Sequence, residues 1–275
     1  MSPFDISQPR SEPTDTAPFN IVHVPGLTPY LDGWELQRQI HNEVAAGERQ
    51  PTIIMLEHES TYTAGRRTHK DEFPKDGTPV IEVDRGGKIT WHGPGQLVAY
   101  PIMPLRQPLD VIEYLRRLEA AVIRVCAQVG VTAGRVKGRS GVWVGPQARS
   151  GWPNAAGQSA KGSSWQGFFQ AGTPPHLGGP APATSDAHAK IRKVCAVGAR
   201  VARGVTMHGL ALNCNPDLTA FDHIIPCGIT DAAVTSLTVE KGTAITVAEM
   251  RPILARALAA ALAPQLPSAP THPFA

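Results

Sequence analysis

The sequence contains few cysteines and no cysteine pair of the kind that holds zinc. Its four cysteines are Cys126, Cys195, Cys214 and Cys227, with no Cys-x-x-Cys pair and no close set of histidines. Structural zinc sites depend on such spacing, so the sequence predicts no metal site. In a reducing compartment these thiols stay free unless chemistry uses them.

Long apolar runs are also missing. No stretch approaches the roughly 20 residues that cross a membrane. The segment from Met1 to Asn20 lacks the basic stretch followed by an apolar core that export requires. We therefore expect a cytoplasmic protein without a membrane partner.

Neither basic nor acidic residues are in large excess over the other. The chain has 26 basic and 23 acidic residues, a formal net charge of +3. This balance argues against a dedicated nucleic-acid surface, although a local basic patch facing an acidic protein is compatible with it.

Glycine and proline, by contrast, are frequent in the segment from Arg85 to Tyr100. It holds four glycines and one proline and leads into an apolar run, Leu97 to Met103, that predicts a buried strand. Glycines let a backbone approach a ligand closely and adopt positive φ. The same composition is also typical of a tight hairpin with no ligand, and both interpretations are open on this segment alone.

Three later blocks extend the pattern. They are Lys193 to Gly198, Met207 to Asn213, and Ile225 to Ile229. The ordered motifs RGGxxTxHGPGQxVxY, KxxxxG, HGxALN and PCG resemble the lipoyl(octanoyl) transferase family. The resemblance runs from about Tyr30 to about Thr238, and Glu57-His58 and Thr63 to Arg67 also resemble an early segment of that family.

Periodicity predicts a mixed architecture. Helices are expected at Tyr30–Ala46, Leu109–Val129 and Val247–Leu262. Strands are expected at 52–57, 80–83, 97–103, 141–144, 194–197 and 205–213. This order favours an α+β fold with a central mixed, largely antiparallel sheet flanked by helices. The resemblance implies the fold shared by lipoate and biotin protein ligases.

Composition and the family resemblance together predict the domain organisation. Residues 1–20 are expected to be a disordered N-terminal segment, 21–262 a single catalytic domain, and 263–275 a Pro-rich tail. Within the domain, residues 145–190 contain eight glycines and six prolines and resemble an insertion. Its aromatic residues Trp165, Phe168 and Phe169 could cover an acyl tunnel, or the segment could be a solvated loop with no role.

The cysteines differ in their surroundings. Cys126 lies on the apolar side of a predicted helix and Cys214 ends a predicted strand, so both are expected to pack as small hydrophobes. Cys195 fits a sheet position. Cys227 stands in a Pro-Cys-Gly turn, where a thiol can be exposed, and it is the candidate nucleophile.

The resemblance assigns roles to two residues. Cys227 would attack octanoyl-acyl carrier protein, and Lys193 would ionise the thiol and later take the proton of the attacking amine. An ordinary thiol is only about 3 percent thiolate at neutral pH, and lowering its pKa by roughly two units raises that fraction about 25-fold. The acceptors would be the lipoyl domains of 2-oxoacid dehydrogenase complexes and the glycine cleavage H protein. No cofactor is implied, and a monomer is expected.

The resemblance also predicts substrate-binding residues on three segments. Two histidines have two possible roles each. His92, and also His208 next to one of these segments, could be a general base or could only shape the loops by hydrogen bonding. The predicted binding residues are Arg85, Gly86, Gly87, Lys88, Ile89, Thr90, Trp91, His92, Ala196, Val197, Gly198, Gly209, Leu210 and Ala211.

Two other functions compete. An ATP-dependent lipoate or biotin ligase of the same fold would form an acyl-adenylate and would not need Cys227. A carrier-protein or lipoyl-domain binding module would retain the fold without turnover, but the presence of both Lys193 and Cys227 argues against it.

Overall fold

A computed structural model describes residues 18–148, 191–224 and 232–267. The N-terminal segment before residue 18, the predicted insertion beyond Ala148, Cys227 and the end of the predicted tail lie outside this part. The strands are β1 (Asn20–Thr28), β2 (Thr52–His58), β3 (Thr61–Ala64), β4 (Val80–Glu82), β5 (Thr90–His92), β6 (Gln96–Ile102), β7 (Val142–Val144), β8 (Arg192–Ala202), β9 (Val205–Asn213) and β10 (Ala233–Val234). The helices are α1 (Tyr30–Ala46), α2 (Val111–Gln128), α3 (Leu237–Lys241) and α4 (Val247–Leu262).

Seven of these strands form the main sheet. Its order is β1-β2-β6-β9-β8-β10, with β7 paired to β8. The β1–β2 and β8–β10 pairs are parallel, and the other pairs are antiparallel. The predicted α+β class, with a mixed and largely antiparallel sheet, is confirmed.

Strand alternation gives the sheet two buried faces, because successive side chains point to opposite sides. On β2, Ile53 and Met55 pack in the cluster that contains residues of α2 and α4. The intervening Ile54 and Leu56 pack against α1. The sheet is therefore the middle layer of three, and its strands have to be apolar on both sides.

The predicted helices form where their end signals place them. Asp110 caps α2 by accepting a hydrogen bond from the Glu113 N–H at 2.8 Å. Thr246 and Glu249 form a capping box at the start of α4. Gly47, with φ of 77°, ends α1 in the left-handed conformation that glycine adopts without strain.

Several strands are not apparent in the sequence. The prediction contains no β1, β3, β5 or β10, and β8 extends well beyond the predicted 194–197. Proline and glycine interrupt β1, whose register shifts between His23 and Leu27. β5 is only three residues long and follows Gly86 and Gly87. Because glycines are typical of turns, the sequence pattern does not indicate a strand there.

A second, three-stranded sheet has the order β4-β3-β5. It has a small apolar cluster of its own, which includes Ile89, Trp91 and Phe221. Residues 83–89, between β4 and β5, lead from this sheet to the β8–β9 hairpin, where the Gly86 N–H donates to the Ala199 carbonyl at 3.1 Å. The two sheets and this connection surround the site described next.

Candidate active site

A cavity of about 260 Å³ lies where the β4–β5 connection meets the β8–β9 hairpin. This volume is close to the lower end of the range for small-molecule sites. The cavity is lined by Tyr30, Arg67, Arg85, Gly87, Lys88, Thr90, His92, Tyr100, Gly138, Arg139, Ser140, Lys193, Ala196, Val197, Gly198, His208, Gly209, Leu210 and Ala211.

Small residues from two paired strands form one side of this cavity. Ala196 is paired with Ala211, and Gly198 with Gly209, in the antiparallel β8–β9 ladder. Residues directly opposite each other in a ladder lie on the same face of the sheet. Because none of the four carries a side chain larger than a methyl group, they leave space on this face.

Two of these glycines also permit close backbone approach. A Cβ on Gly198 would lie 2.9 Å from the Gly86 carbonyl oxygen. A Cβ on Gly209 would lie 2.3 Å from the Ala99 carbonyl oxygen on β6. The connection and the neighbouring strand therefore pack directly against glycine.

Arg85 organises the connection. Its buried guanidinium donates to the carbonyls of Gly86 and Lys88 at 3.1 and 2.9 Å. It also donates to the Thr63 carbonyl and hydroxyl, at 3.0 and 2.8 Å. These four hydrogen bonds fix the curvature of the segment that the sequence marks with glycines.

The turn after β3 is attached to the same connection. The Arg66 N–H donates to the Arg85 carbonyl and the Arg67 N–H to the Gly87 carbonyl, each at 3.1 Å. Gly65 is required because a Cβ there would lie 2.5 Å from the Gly87 carbonyl oxygen. Arg67 is exposed, and its side chain reaches the cavity.

Lys193 lies on β8 with only 7% of its surface exposed. Its Nζ is 4.5 Å from the centre of the Trp143 ring, a cation–π distance that stabilises a partly desolvated ammonium. Its carbonyl accepts a hydrogen bond from the Thr235 N–H at 2.9 Å, and Val234 of β10 is its register partner. The strand that follows the Cys227 segment therefore runs beside this lysine.

A buried carboxylate holds the loop before β7 near Lys193. Glu119 of α2 accepts from Arg116, Arg135 and the Gly141 N–H, at 2.7, 2.9 and 3.0 Å. Gly141 has φ of 105°, and a Cβ there would lie 3.5 Å from Cε of Lys193. Glu119 thus holds this loop in place through its hydrogen bond with the Gly141 N–H.

His92 is buried and its Nδ1 lies 2.7 Å from Oε1 of Gln96. Burial first, and then the nearby His58 and Arg85, lower the pKa of His92 well below its usual value. Its ring stacks on Tyr30 at 5.7 Å. The imidazole is therefore neutral at physiological pH.

His208 breaks the regular course of β9 with φ of 58°. The β6–β9 pairing ends at Ala99 and Leu210. In place of a ladder bond, the His208 N–H donates to Oε1 of Gln37 at 2.9 Å. Its Nε2 is 2.8 Å from Oδ1 of Asp84, to which the neutral ring donates. Burial, followed by Arg85 and Arg200, lowers the pKa of His208 to about 3.

The sequence of the chain matches a known protein family. The lipoyl protein ligase A/B catalytic domain matches residues 29–259. The chain belongs to the lipoyl protein ligase A/B catalytic domain family.

Two curated relatives refine that placement. An octanoyltransferase of Salinispora tropica is 47% identical over 91% of the chain and 100% of the relative. An octanoyltransferase of Mycobacterium tuberculosis is 48% identical over 88% of the chain and 86% of the relative. The resemblance to the lipoyl(octanoyl) transferase family is confirmed.

The fold is shared more widely. A bi-partite lipoate protein ligase from Thermoplasma acidophilum superposes with a TM-score of 0.54 and 13% identity, over 88% of this chain and 82% of that one. This likeness confirms the expected lipoate protein ligase fold.

Eleven of the fourteen predicted binding residues of this octanoyltransferase-family chain line the cavity. Gly86, Ile89 and Trp91 do not. Alternation on β5 explains the pattern, since Thr90 and His92 face the cavity while Ile89 and Trp91 pack in the core of the small sheet. Gly86 does not line the cavity, but its backbone packs against the β8–β9 hairpin through the hydrogen bond to the Ala199 carbonyl.

Other cavity residues were not in the predicted binding set. Tyr30 lies in a predicted helix, and Tyr100 is the last residue of the first motif but was assigned no role. The Tyr100 hydroxyl donates to Nε2 of His58 at 2.7 Å. The early Thr63 to Arg67 motif was the one available signal for Arg67. The lining residues outside the predicted binding set and the predicted catalytic pair are Tyr30, Arg67, Tyr100, Gly138, Arg139, Ser140 and His208.

The three described cysteines lie away from the cavity lining. Cys126, Cys195 and Cys214 are each fully buried in the cluster under α2 and α4, as their predicted packing roles require. Burial raises the pKa of Cys126 to about 12 and that of Cys195 well above its usual value. These thiols therefore stay protonated.

Within the described part of the chain, no three His, Cys, Asp or Glu side chains come close enough together to hold a metal ion. The helices of that part are also too short or too polar to span a membrane.

Proposed function

We propose that the chain transfers an octanoyl group from octanoyl-acyl carrier protein to a lysine of lipoyl domains, through a thioester on Cys227. The observation that carries this proposal is the buried Lys193 in the cavity wall. Membership in the octanoyltransferases supports the reaction class. Lipoyl domains of 2-oxoacid dehydrogenase complexes and the glycine cleavage H protein are the proposed acceptors.

The proposed reaction has two half-reactions. The reaction starts from a thiolate–ammonium pair, which forms when the Cys227 thiol proton moves to the Lys193 amine, and the thiolate attacks the thioester carbonyl of the donor. The carbon–sulfur bond to the donor arm breaks, and that sulfur leaves with the proton from Lys193. The acceptor lysine then attacks the enzyme thioester, gives its proton to the Lys193 amine, and the Cys227 sulfur departs to regenerate the thiol.

The charges around the cavity support this assignment. Its charged lining residues in the described part are arginines and lysines. Nearby cations favour a thiolate over a thiol and so lower a cysteine pKa. His92 and His208 are neutral and already hydrogen-bonded to Gln96 and Asp84, so the proposal gives them loop-shaping roles.

Intact-protein mass spectrometry tests the proposal. After mixing with octanoyl-acyl carrier protein, the wild type should gain one octanoyl group, and adding a lipoyl domain should discharge it. Cys227→Ser should show no adduct, and Lys193→Ala should form it much more slowly. Cys195→Ala is the matched control, because it removes a buried thiol and should still be acylated.

An adduct that persists in Cys227→Ser would overturn the nucleophile assignment. Octanoylation that requires ATP and free octanoate would instead indicate a ligase, the activity named for the Thermoplasma neighbour. Binding of a lipoyl domain without any transfer would indicate a non-catalytic module.

The remaining proposals concern organisation. We propose a cytoplasmic monomer with one catalytic domain at 21–262. Ala263–Gln265 form a 3₁₀ turn after α4, and Asn20 begins β1, so described structure extends to both proposed boundaries. Deleting the predicted insertion at 145–190 and measuring transfer would decide between its two interpretations, since unchanged kinetics would rule out a cover over the acyl tunnel.

A further inference from the structure

A buried polar pair joins the two central strands of the main sheet. Gln96 of β6 and Asn213 of β9 are register partners, and they are 1% and 3% exposed. Nε2 of Gln96 donates to Oδ1 of Asn213 at 2.9 Å. Burying two amide side chains costs free energy unless their other polar groups also find partners.

Those other groups bond to two separate parts of the chain. Nδ2 of Asn213 donates to the Thr235 carbonyl at 2.9 Å. Oε1 of Gln96 lies 2.7 Å from Nδ1 of His92, a residue of the cavity lining. The pair therefore connects the cavity wall with the chain that follows Cys227.

Two backbone carbonyls fix the direction of these hydrogen bonds. A carbonyl can only accept, so Asn213 must present Nδ2 to Thr235. The Trp91 carbonyl accepts from Nε2 of Gln96 at 3.3 Å and orients the second amide in the same way. The remaining acceptor, Oε1 of Gln96, then requires the proton of the neutral His92 ring to be on Nδ1.

The Thr235 peptide is bonded on both sides. Its N–H donates to the Lys193 carbonyl at 2.9 Å, and its carbonyl accepts from Asn213. Thr235 is 1% exposed, so water does not compete for these groups. Cys227 precedes Thr235 by eight residues. The point at which the described chain resumes after Cys227 is therefore fixed against the strand that carries Lys193.

The chain before Cys227 is held by the same region of the fold. The Cys214 and Asn215 N–H groups donate to the Gly95 carbonyl at 3.1 and 3.0 Å. The Phe221 ring packs edge-on against Trp91 of β5, with the ring centres 5.4 Å apart. The turn between β5 and β6 thus holds the chain on one side of Cys227, and the Gln96–Asn213 pair holds it on the other.

We infer that Gln96 and Asn213 are positioning residues for the reaction, which hold the chain that follows Cys227 against Lys193 and the cavity wall. This inference rests on the proposed function, in which the Cys227 thiol and the Lys193 amine exchange a proton. Neither Gln96 nor Asn213 is among the described residues that line the cavity, so they act through the chain they hold. A displacement of about 1 Å between reacting groups can slow a reaction about 100-fold.

Three variants of matched volume test this inference. Asn213→Leu and Gln96→Met remove the amides from either strand, so the test does not depend on one variant folding. Thr206→Val is the control. Thr206 is a fully buried residue of β9, and its hydroxyl donates to the Pro101 carbonyl of β6 at 2.7 Å, away from Thr235. Urea unfolding verifies that each variant is folded under the assay conditions.

The first measurement is the pH dependence of Cys227 alkylation by iodoacetamide, with the labelled site located by peptide mass spectrometry. In Asn213→Leu and Gln96→Met the midpoint of this profile should move up by about one pH unit, because the thiolate loses part of its ammonium partner. The rates should converge with that of the wild type at high pH. Thr206→Val should keep the wild-type midpoint, since a loss of stability alone does not move it.

The second measurement is single-turnover acylation by octanoyl-acyl carrier protein. The maximal rate should fall by about 10- to 100-fold in Asn213→Leu and Gln96→Met. The half-saturating donor concentration should change less than about twofold, because neither side chain lines the cavity. The double variant should be no slower than the slower single variant, since the two amides act through one connection.

The direction of the hydrogen bonds gives a test without turnover. Nitrogen NMR of the wild type should show the His92 ring protonated at Nδ1, and Gln96→Met should lose that preference. A wild-type ring protonated at Nε2 would contradict the connection.

The inference and the proposed function can fail separately. An acylated wild type whose Asn213 and Gln96 variants keep its alkylation midpoint, or share any shift with Thr206→Val, would overturn the positioning role and keep the transferase. A wild type that is never acylated at Cys227, with midpoints shifted only in the Asn213 and Gln96 variants, would refute the transferase and keep the positioning role.

Discussion

Both faces of the main sheet bury apolar side chains, and they differ where one of them reaches the cavity. The face under α2 and α4 is apolar and encloses three thiols. Toward the cavity lie imidazoles, tyrosines, three guanidinium groups and two amines. A single strand, β8, supplies Cys195 to the first and Ala196 and Gly198 to the second.

Burial favours the neutral form of titratable groups on both faces, because it lowers the pKa of a histidine and raises the pKa of a cysteine. It lowers the pKa of His58 to about 4 and that of His208 to about 3. It raises the pKa of Cys126 to about 12. Permanent charge at the cavity therefore comes from its arginines, and the buried thiols are poor nucleophiles.

The largest expected effect comes from filling the space at the hairpin. Gly209→Ala should destabilise the protein by about 3 kcal/mol, because its Cβ would lie 2.3 Å from the Ala99 carbonyl oxygen. Urea unfolding measures this. Gly204→Ala is the control, since its Cβ would meet nothing within 4 Å and only its φ of 75° is unfavourable. Equal losses in both variants would contradict the packing argument.

The cavity face should limit stability in acid. His208 titrates near 6.5 when unfolded and near 3 when folded, so the unfolded state binds more protons as pH falls below 6.5. At pH 5 this destabilises the folded state by about 2 kcal/mol relative to pH 7.5. His208→Asn tolerates the positive φ and should remove that part of the loss in urea unfolding at the two pH values. An unchanged acid loss in this variant would refute the assignment.

The core face should limit stability in alkali. Folding raises the Cys126 pKa from 9.0 to about 12, so the unfolded state loses its proton first as pH rises. This thiol alone should cost about 1.4 kcal/mol at pH 10. Comparing the free energy of unfolding at pH 8 and pH 10, Cys126→Ala should lose less than the wild type. A drop of the same size in both proteins would show that the thiol is not responsible.

The smallest effect is expected at Cys195. Cys195→Ala should cost about 1 kcal/mol of stability for the lost buried sulfur, and should leave octanoyl transfer intact. Its rate of acylation, measured alongside the wild type, checks this. Loss of acylation in this variant alone would move the nucleophile assignment away from Cys227.

The sequence was most informative where one local signal decided the structure. Helix α1 and helix α4 match their predicted bounds because periodicity and end signals agree. Strand β9 also matches its predicted bounds, and every one of its residues is buried. Ordered motifs located eleven of the predicted binding residues along the cavity.

The sequence failed where distant segments decide the outcome. β1 is paired with β2 despite Pro25 and Gly26, and no local signal announces that pairing. Tyr30 and Arg139 reach the cavity because the fold brings their elements to it. The burial of His208 and its contact with Asp84 likewise depend on residues far along the chain.

Small residues at the β8–β9 side of the cavity have a consequence for how the family can diversify. Four small residues, Ala196, Gly198, Gly209 and Ala211, are at or near the minimum side-chain size, so substitution there can widen the space by at most one methyl group at each alanine. Neighbouring backbone oxygens oppose even a methyl group at the two glycines. A chain of this kind that evolved toward a bulkier ligand in this cavity would have to change other lining residues, such as Tyr30 and Tyr100, whose side chains can be shortened.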